Sequence, residues 1–173
     1  MAFLMSKHRR AAFICGFVAI MGMSQLAATE AQARDPRFEE LELSSGPRRE
    51  RTAATHLRSG SIIETDAPVD NHGKGERFSP TDLVATALAS CMVTTIGISA
   101  EVHGLNIDGA VCQVEKIMAA EPRRIAEIRV LLEFPMGQQY TDKQKTIIEN
   151  IANTCPVLVS LHPDCKKTLT INW

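Results

Sequence analysis

Cys91 lies within the stretch LASCMVTTIG, residues 88–97, in which every other residue is apolar, small or hydroxylated. A cysteine in such a setting can fill a core as a small hydrophobic residue, or it can be a nucleophile when it is held as a thiolate. The helix face around it would have an apolar lining with two hydroxyls, made of Val84, Ala87, Leu88, Thr94 and Thr95. Apolar surroundings disfavour a thiolate, so reactivity would require a cation from another part of the fold.

The segment that contains Cys91 is predicted to be one long helix. Ser79 is a good N-cap, Pro80 suits the first helical position, and Asp82 completes a capping box. Gly104 marks the end of the helix. Because this helix is hydrophobic on nearly every side, we expect it to be buried on most faces, in a core or at a subunit interface.

The rest of the chain carries mostly strand signals. Alternating and β-branched residues predict six strands, at residues 38–44, 51–57, 61–65, 110–120, 123–134 and 166–173. A second helix is predicted over residues 141–154, opened by a capping box of Thr141 and Gln144, and Pro156 should break or kink it at Cys155. This order of elements predicts an α+β domain with two central helices packed on antiparallel β-sheets.

The motif FSPTDLVATALASC ends at Cys91, and CPV begins 64 residues later at Cys155. Together these two motifs resemble the osmotically inducible protein C and organic hydroperoxide resistance (OsmC/Ohr) family. The resemblance covers about residues 50–173 and puts each cysteine inside one of the two helices. It implies an intertwined homodimer with two active sites at its interface, and thiol-dependent reduction of hydroperoxides, organic ones especially.

The resemblance also assigns roles to the two cysteines. Cys91 matches the peroxidatic cysteine and Cys155 the resolving one. A peroxidatic thiolate attacks the O–O bond, becomes a sulfenic acid and condenses with a second thiol to a disulfide. We therefore expect Cys91 and Cys155 to be able to bridge, with Cα atoms about 4.4–6.8 Å apart when oxidised. An external dithiol or lipoyl-type reductant would restore the thiols, and no cofactor or metal is expected.

The family activates its peroxidatic thiol with an arginine tied to a glutamate. Arg58, in HLRSG, resembles the family's arginine-bearing turn, with Arg51 as the next choice and Arg77 also in a segment that could approach the helix. Thr81 stands where such peroxidases carry the glutamate, which is typical of a less characterised SPTDL branch. Asp82 projects from roughly the opposite helix face to Cys91 and already fits as a cap, so it is not an obvious substitute.

The other cysteines and the histidines are expected to have plainer roles. Cys112 lies mid-strand and is expected to fill the core, and Cys165 is expected to be a surface thiol or an alternative resolving thiol. With Cys155 and His162, Cys165 forms C-x6-H-x2-C, a spacing that matches no common zinc module. Three histidines are expected in loops or at helix ends: His56, His72 and His103.

The N-terminus has the three parts of a secretory signal peptide. Basic residues precede the uncharged, largely apolar residues 11–23, and Ala31-Gln32-Ala33 fits a cleavage site. The pattern predicts a signal peptide over residues 1–33, then a single OsmC-like domain over residues 34–173 in the periplasm. A misassigned start codon or a frayed amphipathic extension would leave the protein in the cytoplasm instead.

The composition narrows the class of partner. The chain has 173 residues with 19 Lys and Arg against 20 Asp and Glu, which gives no basic patch for nucleic acid. After signal removal no membrane partner is expected.

Two functions then remain. One is a thiol-dependent reductase of organic hydroperoxides, and the other is a non-catalytic binding or structural dimer of the same fold with a static Cys91–Cys155 disulfide.

Overall fold

The computed structural model describes residues 41–45 and 50–173. The described residues divide into two compact units, which meet in the sequence between Glu64 and Thr65. The predicted signal peptide, residues 1–33, lies outside the described residues and stays a prediction.

The first unit is described through a three-stranded sheet in the order β1-β2-β3. The strands are β1 (Leu41–Ser45), β2 (Arg51–His56) and β3 (Ile62–Asp66), and β1 runs antiparallel to β2. A tight turn follows β2, in which Gly60 adopts a φ of 71° and donates its N–H to the carbonyl of His56 at 2.8 Å. A positive φ is readily available to glycine, so this residue type suits the turn.

The second unit begins with the predicted long helix, α1 (Pro80–His103). Its start is the expected capping box, because Ser79 Oγ accepts from the Asp82 N–H at 3.1 Å and Asp82 Oδ2 accepts from the Ser79 N–H at 2.8 Å. Its end is at Gly104, which adopts a left-handed φ of 62°. Both sequence predictions for the ends of this helix are therefore confirmed.

A second sheet follows in the order β4-β5-β6, made of β4 (Val111–Ala120), β5 (Arg123–Glu133) and β6 (Lys166–Asn172). β4 and β5 are antiparallel, but β6 pairs with β5 in parallel. The expectation of purely antiparallel sheets is therefore wrong for this pair. The physical reason is the helical connection between them, which returns the chain to the same end of the sheet before β6 begins.

That connection consists of α2 (Asp142–Asn153) and a short helix, α3 (Pro156–Ser160). Thr141 and Gln144 form the predicted capping box of α2. The helix breaks before Pro156, as predicted, because proline disfavours helical geometry in the residue before it. The family pattern suggested that Cys155 lies inside a helix. This is wrong, because Cys155 is the N-cap of α3.

The core of the second unit lies around α1, which contacts β4, β5, α2 and α3. Leu88, Met92 and Ile96 are fully buried on its inner face. On its outer face, Ile98 is 67% and Val102 79% exposed. Among the described residues α1 alone is long and apolar enough to cross a membrane by length and composition, but core helices of globular proteins meet the same test.

Candidate active site

The structure brings Cys91 and Cys155 together in the second unit. Cys91 lies in the middle of α1 and is half-buried, whereas Cys155 is 1% exposed at the N-cap of α3. The Cys91 thiol is near enough to raise the pKa of the Cys155 thiol, and both cysteines are free. A partly exposed cysteine is thus the neighbour of a buried one.

The surroundings of Cys155 decide its protonation. Burial raises the pKa of the Cys155 thiol, and the neighbouring Cys91 raises it further. The backbone N–H groups of Leu158 and Val157, in the first turn of α3, act in the opposite direction and lower the pKa of Cys155. The pKa remains above its ordinary value, so Cys155 is held as a neutral thiol in the reduced protein.

The hydroxyl groups expected beside Cys91 are less available than the sequence suggested. Thr95 Oγ1 donates to the carbonyl of Cys91 at 2.8 Å and to that of Met92 at 3.0 Å. The Thr95 hydroxyl proton is therefore donated to backbone carbonyls of the helix. Thr94 is exposed. Neither contact supplies the positive charge that a thiolate needs.

The start of α1 holds a cation that sequence reasoning missed. Lys116, on β4, donates from Nζ to Asp82 Oδ1 at 2.6 Å, to Thr81 Oγ1 at 2.8 Å and to Ser79 Oγ at 3.4 Å. The Lys116 side chain is only 16% exposed. Burial alone would raise the pKa of Asp82, but hydrogen bonds from Lys116 and Ser79 lower it below its ordinary value. We call these four residues the helix-start cluster.

An open cleft of about 710 Å³ lies beside the helix-start cluster. Lys116 and Asp82 form part of its wall, together with Arg77 and the exposed ring of Phe78. The cleft therefore combines both signs of charge with apolar surface.

The candidate arginines lie in different parts of the chain. Arg51 begins β2 and Arg58 lies in the exposed turn after it, both in the first unit. Arg77 precedes α1 in the second unit, and its Nη1 donates to the carbonyl of Glu76 at 3.1 Å. Arg58 and Arg51 as activators of Cys91 stay predictions.

Cys112 and Cys165 are both outside the thiol pair. Cys112 is half-buried in β4, and burial raises its pKa, which agrees with a core-filling role. Cys165 is 6% exposed, so its expected surface position is wrong. It is buried because it lies directly before β6, in a turn where its N–H donates to the carbonyl of His162 at 3.0 Å. Within residues 41–45 and 50–173, no group of three metal-ligating side chains forms.

Comparison with known proteins gives the same picture of the fold. Residues 73–170 match the family model described as OsmC-like protein. A Psychrobacter arcticus 273-4 protein, described as an osmotic stress induced and detoxification response protein, has a crystal structure with 47% sequence identity and a TM-score of 0.70. The match covers 78% of this chain and 94% of that protein.

More distant crystal structures share the fold at low identity. An organic hydroperoxide resistance protein OsmC from Legionella pneumophila has 15% identity and a TM-score of 0.62, covering 79% of this chain and 97% of its own. The organic hydroperoxide resistance protein OhrB of Bacillus subtilis has 14% identity and a TM-score of 0.54. The match covers 78% of this chain and 98% of that protein. No curated protein matches the chain.

Proposed function

Because the chain belongs to the OsmC-like protein family, we propose that it is a thiol-dependent peroxidase that reduces organic hydroperoxides. The names of its structural neighbours support a peroxide substrate, since the Legionella and Bacillus proteins are among those named organic hydroperoxide resistance proteins. The Psychrobacter relative, described by its role in detoxification, supports the same class of reaction.

The reaction proceeds in three steps. The Cys91 thiolate attacks the terminal peroxide oxygen, and the O–O bond breaks. Cys91 becomes a sulfenic acid, and the alkoxide takes a proton from water and leaves as the alcohol. The Cys155 thiol then attacks the sulfenic sulfur, which forms a disulfide and releases water. An external dithiol, of the lipoyl type, reduces this disulfide by exchange. The three steps therefore use only the two cysteines and the external dithiol.

The observation that carries this proposal is the proximity of a half-exposed Cys91 to a buried Cys155. Because Cys91 is more exposed than Cys155, peroxide would react at Cys91 first, and Cys155 would then condense with the sulfenic acid. Burial keeps Cys155 protonated, so it is a poor first nucleophile. This difference in exposure supports Cys91 as the nucleophile and Cys155 as the resolving thiol.

The proposal also includes a cation, a dimer and an export route. Arg58, or Arg51 as the alternative, supplies the positive charge that favours the Cys91 thiolate. The chain forms a homodimer that covers the exposed apolar residues of α1, and it acts in the periplasm after loss of residues 1–33. If export fails, the same chemistry takes place in the cytoplasm.

A peroxidase assay tests the proposal directly. Cumene hydroperoxide consumption is followed with dihydrolipoamide or dithiothreitol as reductant, and Cys91→Ser should abolish turnover. Cys112→Ser is the matched control, because it removes a half-buried thiol outside the pair and should keep turnover. Arg58→Met should lower the rate of the first step more than Arg51→Met. Turnover that survives Cys91→Ser would contradict the proposal.

A second candidate function is a non-catalytic dimer with a static Cys91–Cys155 disulfide. The observation that favours it is the helix start, where Thr81 and Asp82 are already bound by Lys116 and Thr81 carries no carboxylate for an arginine. This candidate predicts a disulfide that resists dithiothreitol and no peroxide consumption by the reduced protein.

A further inference from the structure

In the helix-start cluster, all three N–H donors of the Lys116 ammonium group have acceptors. A lysine ammonium has three donors, and Lys116 directs them at the three oxygens of Ser79, Thr81 and Asp82. All three acceptors lie in the N-cap and first turn of α1, while Lys116 belongs to β4. The cluster therefore fastens the beginning of the cysteine-bearing helix to the sheet at a single point.

Lys116 reaches this point from the core side of the sheet. It lies opposite Ile128, which is fully buried, in the β4–β5 register. Directly opposite residues share one face of a sheet, so Lys116 emerges among core residues. Its low exposure of 16% agrees with this position. Lys116 therefore differs from a solvated surface lysine, because its charge would be poorly solvated without the three oxygens, although the Asp82 side chain is 39% exposed.

Fastening α1 at its start limits rotation of the helix about its axis. A sulfur at the edge of a helix is roughly 5 Å from the axis, so a rotation of about 20° would move it by about 1.7 Å. A disulfide needs an S–S distance of about 2.05 Å and a defined dihedral angle. A small rotation of α1 would therefore take the Cys91 sulfur out of reach of Cys155.

We propose that Lys116 is a positioning residue, which holds α1 in the rotation that lets Cys91 and Cys155 form a disulfide. It acts through Thr81 and Asp82 at the helix start and does not touch the thiols. This inference rests on the proposed function for its place in a reaction, where it would govern the second step. The pairing of the two thiols can nevertheless be measured without any peroxide.

The test is the equilibrium between the thiol pair and glutathione. Glutathione disulfide oxidises Cys91 and Cys155 by two electrons to one disulfide and is itself reduced to two glutathione molecules. Lys116→Met should lower this equilibrium constant about tenfold, since a misplaced pair has a lower effective concentration. Lys116→Arg keeps the charge and should restore most of the constant. Lys143→Met, at an exposed lysine of α2, should leave it unchanged.

Two further variants separate positioning from general stability. Ile148→Val truncates a fully buried residue of α2 and should lower the melting temperature without changing the constant. Thr81→Val keeps the shape of the side chain but removes one acceptor, so it should lower the constant by a smaller factor even if Lys116→Met folds poorly.

The proposal is overturned if Lys116→Met and Thr81→Val both keep the wild-type constant, or if Ile148→Val lowers it as much as Lys116→Met does. A wild-type protein that forms the disulfide with glutathione but consumes no cumene hydroperoxide contradicts the proposed function alone. In the peroxide reaction, Lys116→Met should raise the yield of sulfinic acid at Cys91 relative to disulfide, while the rate of sulfenic acid formation stays the same.

Discussion

Replacing Cys155 with serine should separate the two chemical roles of the thiol pair without unfolding the protein. Cys155 is 1% exposed, and a buried hydroxyl without a partner costs about 1–3 kcal/mol. However, Cys155 is the N-cap of α3, a position where a serine hydroxyl can accept from the N–H groups of the first turn. Serine at an N-cap contributes about 1 kcal/mol, so the net destabilisation should be about 1 kcal/mol. That corresponds to a decrease of roughly 4 °C in Tm.

The chemical consequence is a reaction that stops after its first step. In Cys155→Ser the sulfenic acid at Cys91 has no thiol to condense with, so each chain should consume a single peroxide and then stop. One equivalent of cumene hydroperoxide followed by dimedone should give one adduct per chain at Cys91, measured by intact mass and peptide mapping. The wild type should instead lose two hydrogen atoms and give no adduct.

Cys165→Ser is the matched control for this experiment. It also places a hydroxyl at a buried cysteine, with 6% exposure, but outside the thiol pair. It should keep full turnover while showing a comparable decrease in Tm. A folded Cys155→Ser protein without a dimedone adduct at Cys91, or with the adduct at another cysteine, would refute the assignment of the nucleophile.

Three other predictions concern pH, packing and assembly. Hydrogen bonds, that from Arg129 first, lower the pKa of Glu127 from 4.5 to about 2. The ionised Glu127 stabilises the fold above its unfolded-state pKa, and this stabilisation is lost as the pH falls through its folded-state pKa. In urea denaturation, the free energy of unfolding should therefore decrease less from pH 7 to pH 3 for Glu127→Gln than for wild type. Equal decreases would contradict this. Gly73→Ala should cost at least about 2 kcal/mol, because its Cβ would lie 1.7 Å from a carbonyl oxygen, whereas Gly137→Ala meets nothing within 4 Å and should be nearly neutral by thermal denaturation. Light scattering at micromolar concentration should give a dimer that Ile98→Asp weakens, and a wild-type monomer would exclude the proposed assembly.

The local features of this fold were predictable because they depend on residues close together in sequence. The capping boxes at Ser79 and Thr141 form with the partners that their spacing indicated. The helix end at Gly104 and the break before Pro156 follow from backbone preferences of single residues. In each case the relevant energies act over three or four residues, which is the range that a sequence pattern reports.

The features that could not be predicted depend on tertiary contacts. The parallel pairing of β6 with β5 depends on where the two intervening helices return the chain, and strand periodicity does not contain that information. The burial of Cys165 likewise depends on packing around the turn before β6. Lys116 did leave a signal, since β4 alternates and the lysine shares a face with Val114 opposite buried residues of β5. A charge on a core-facing register needs a counter-charge, but only the fold identifies it as Asp82.

The unequal exposure of the two sulfurs also determines how the disulfide would be reduced. A reductant can approach only the half-exposed Cys91 sulfur, so it should attack there and displace Cys155 as the leaving thiolate. Burial makes Cys155 a poor leaving group by raising its pKa, and the N–H groups of Val157 and Leu158 are the described groups that offset this. We therefore expect a reductant to release the Cys155 thiolate first, and a mixed disulfide with Cys91 to be the species trapped when the reductant is a monothiol.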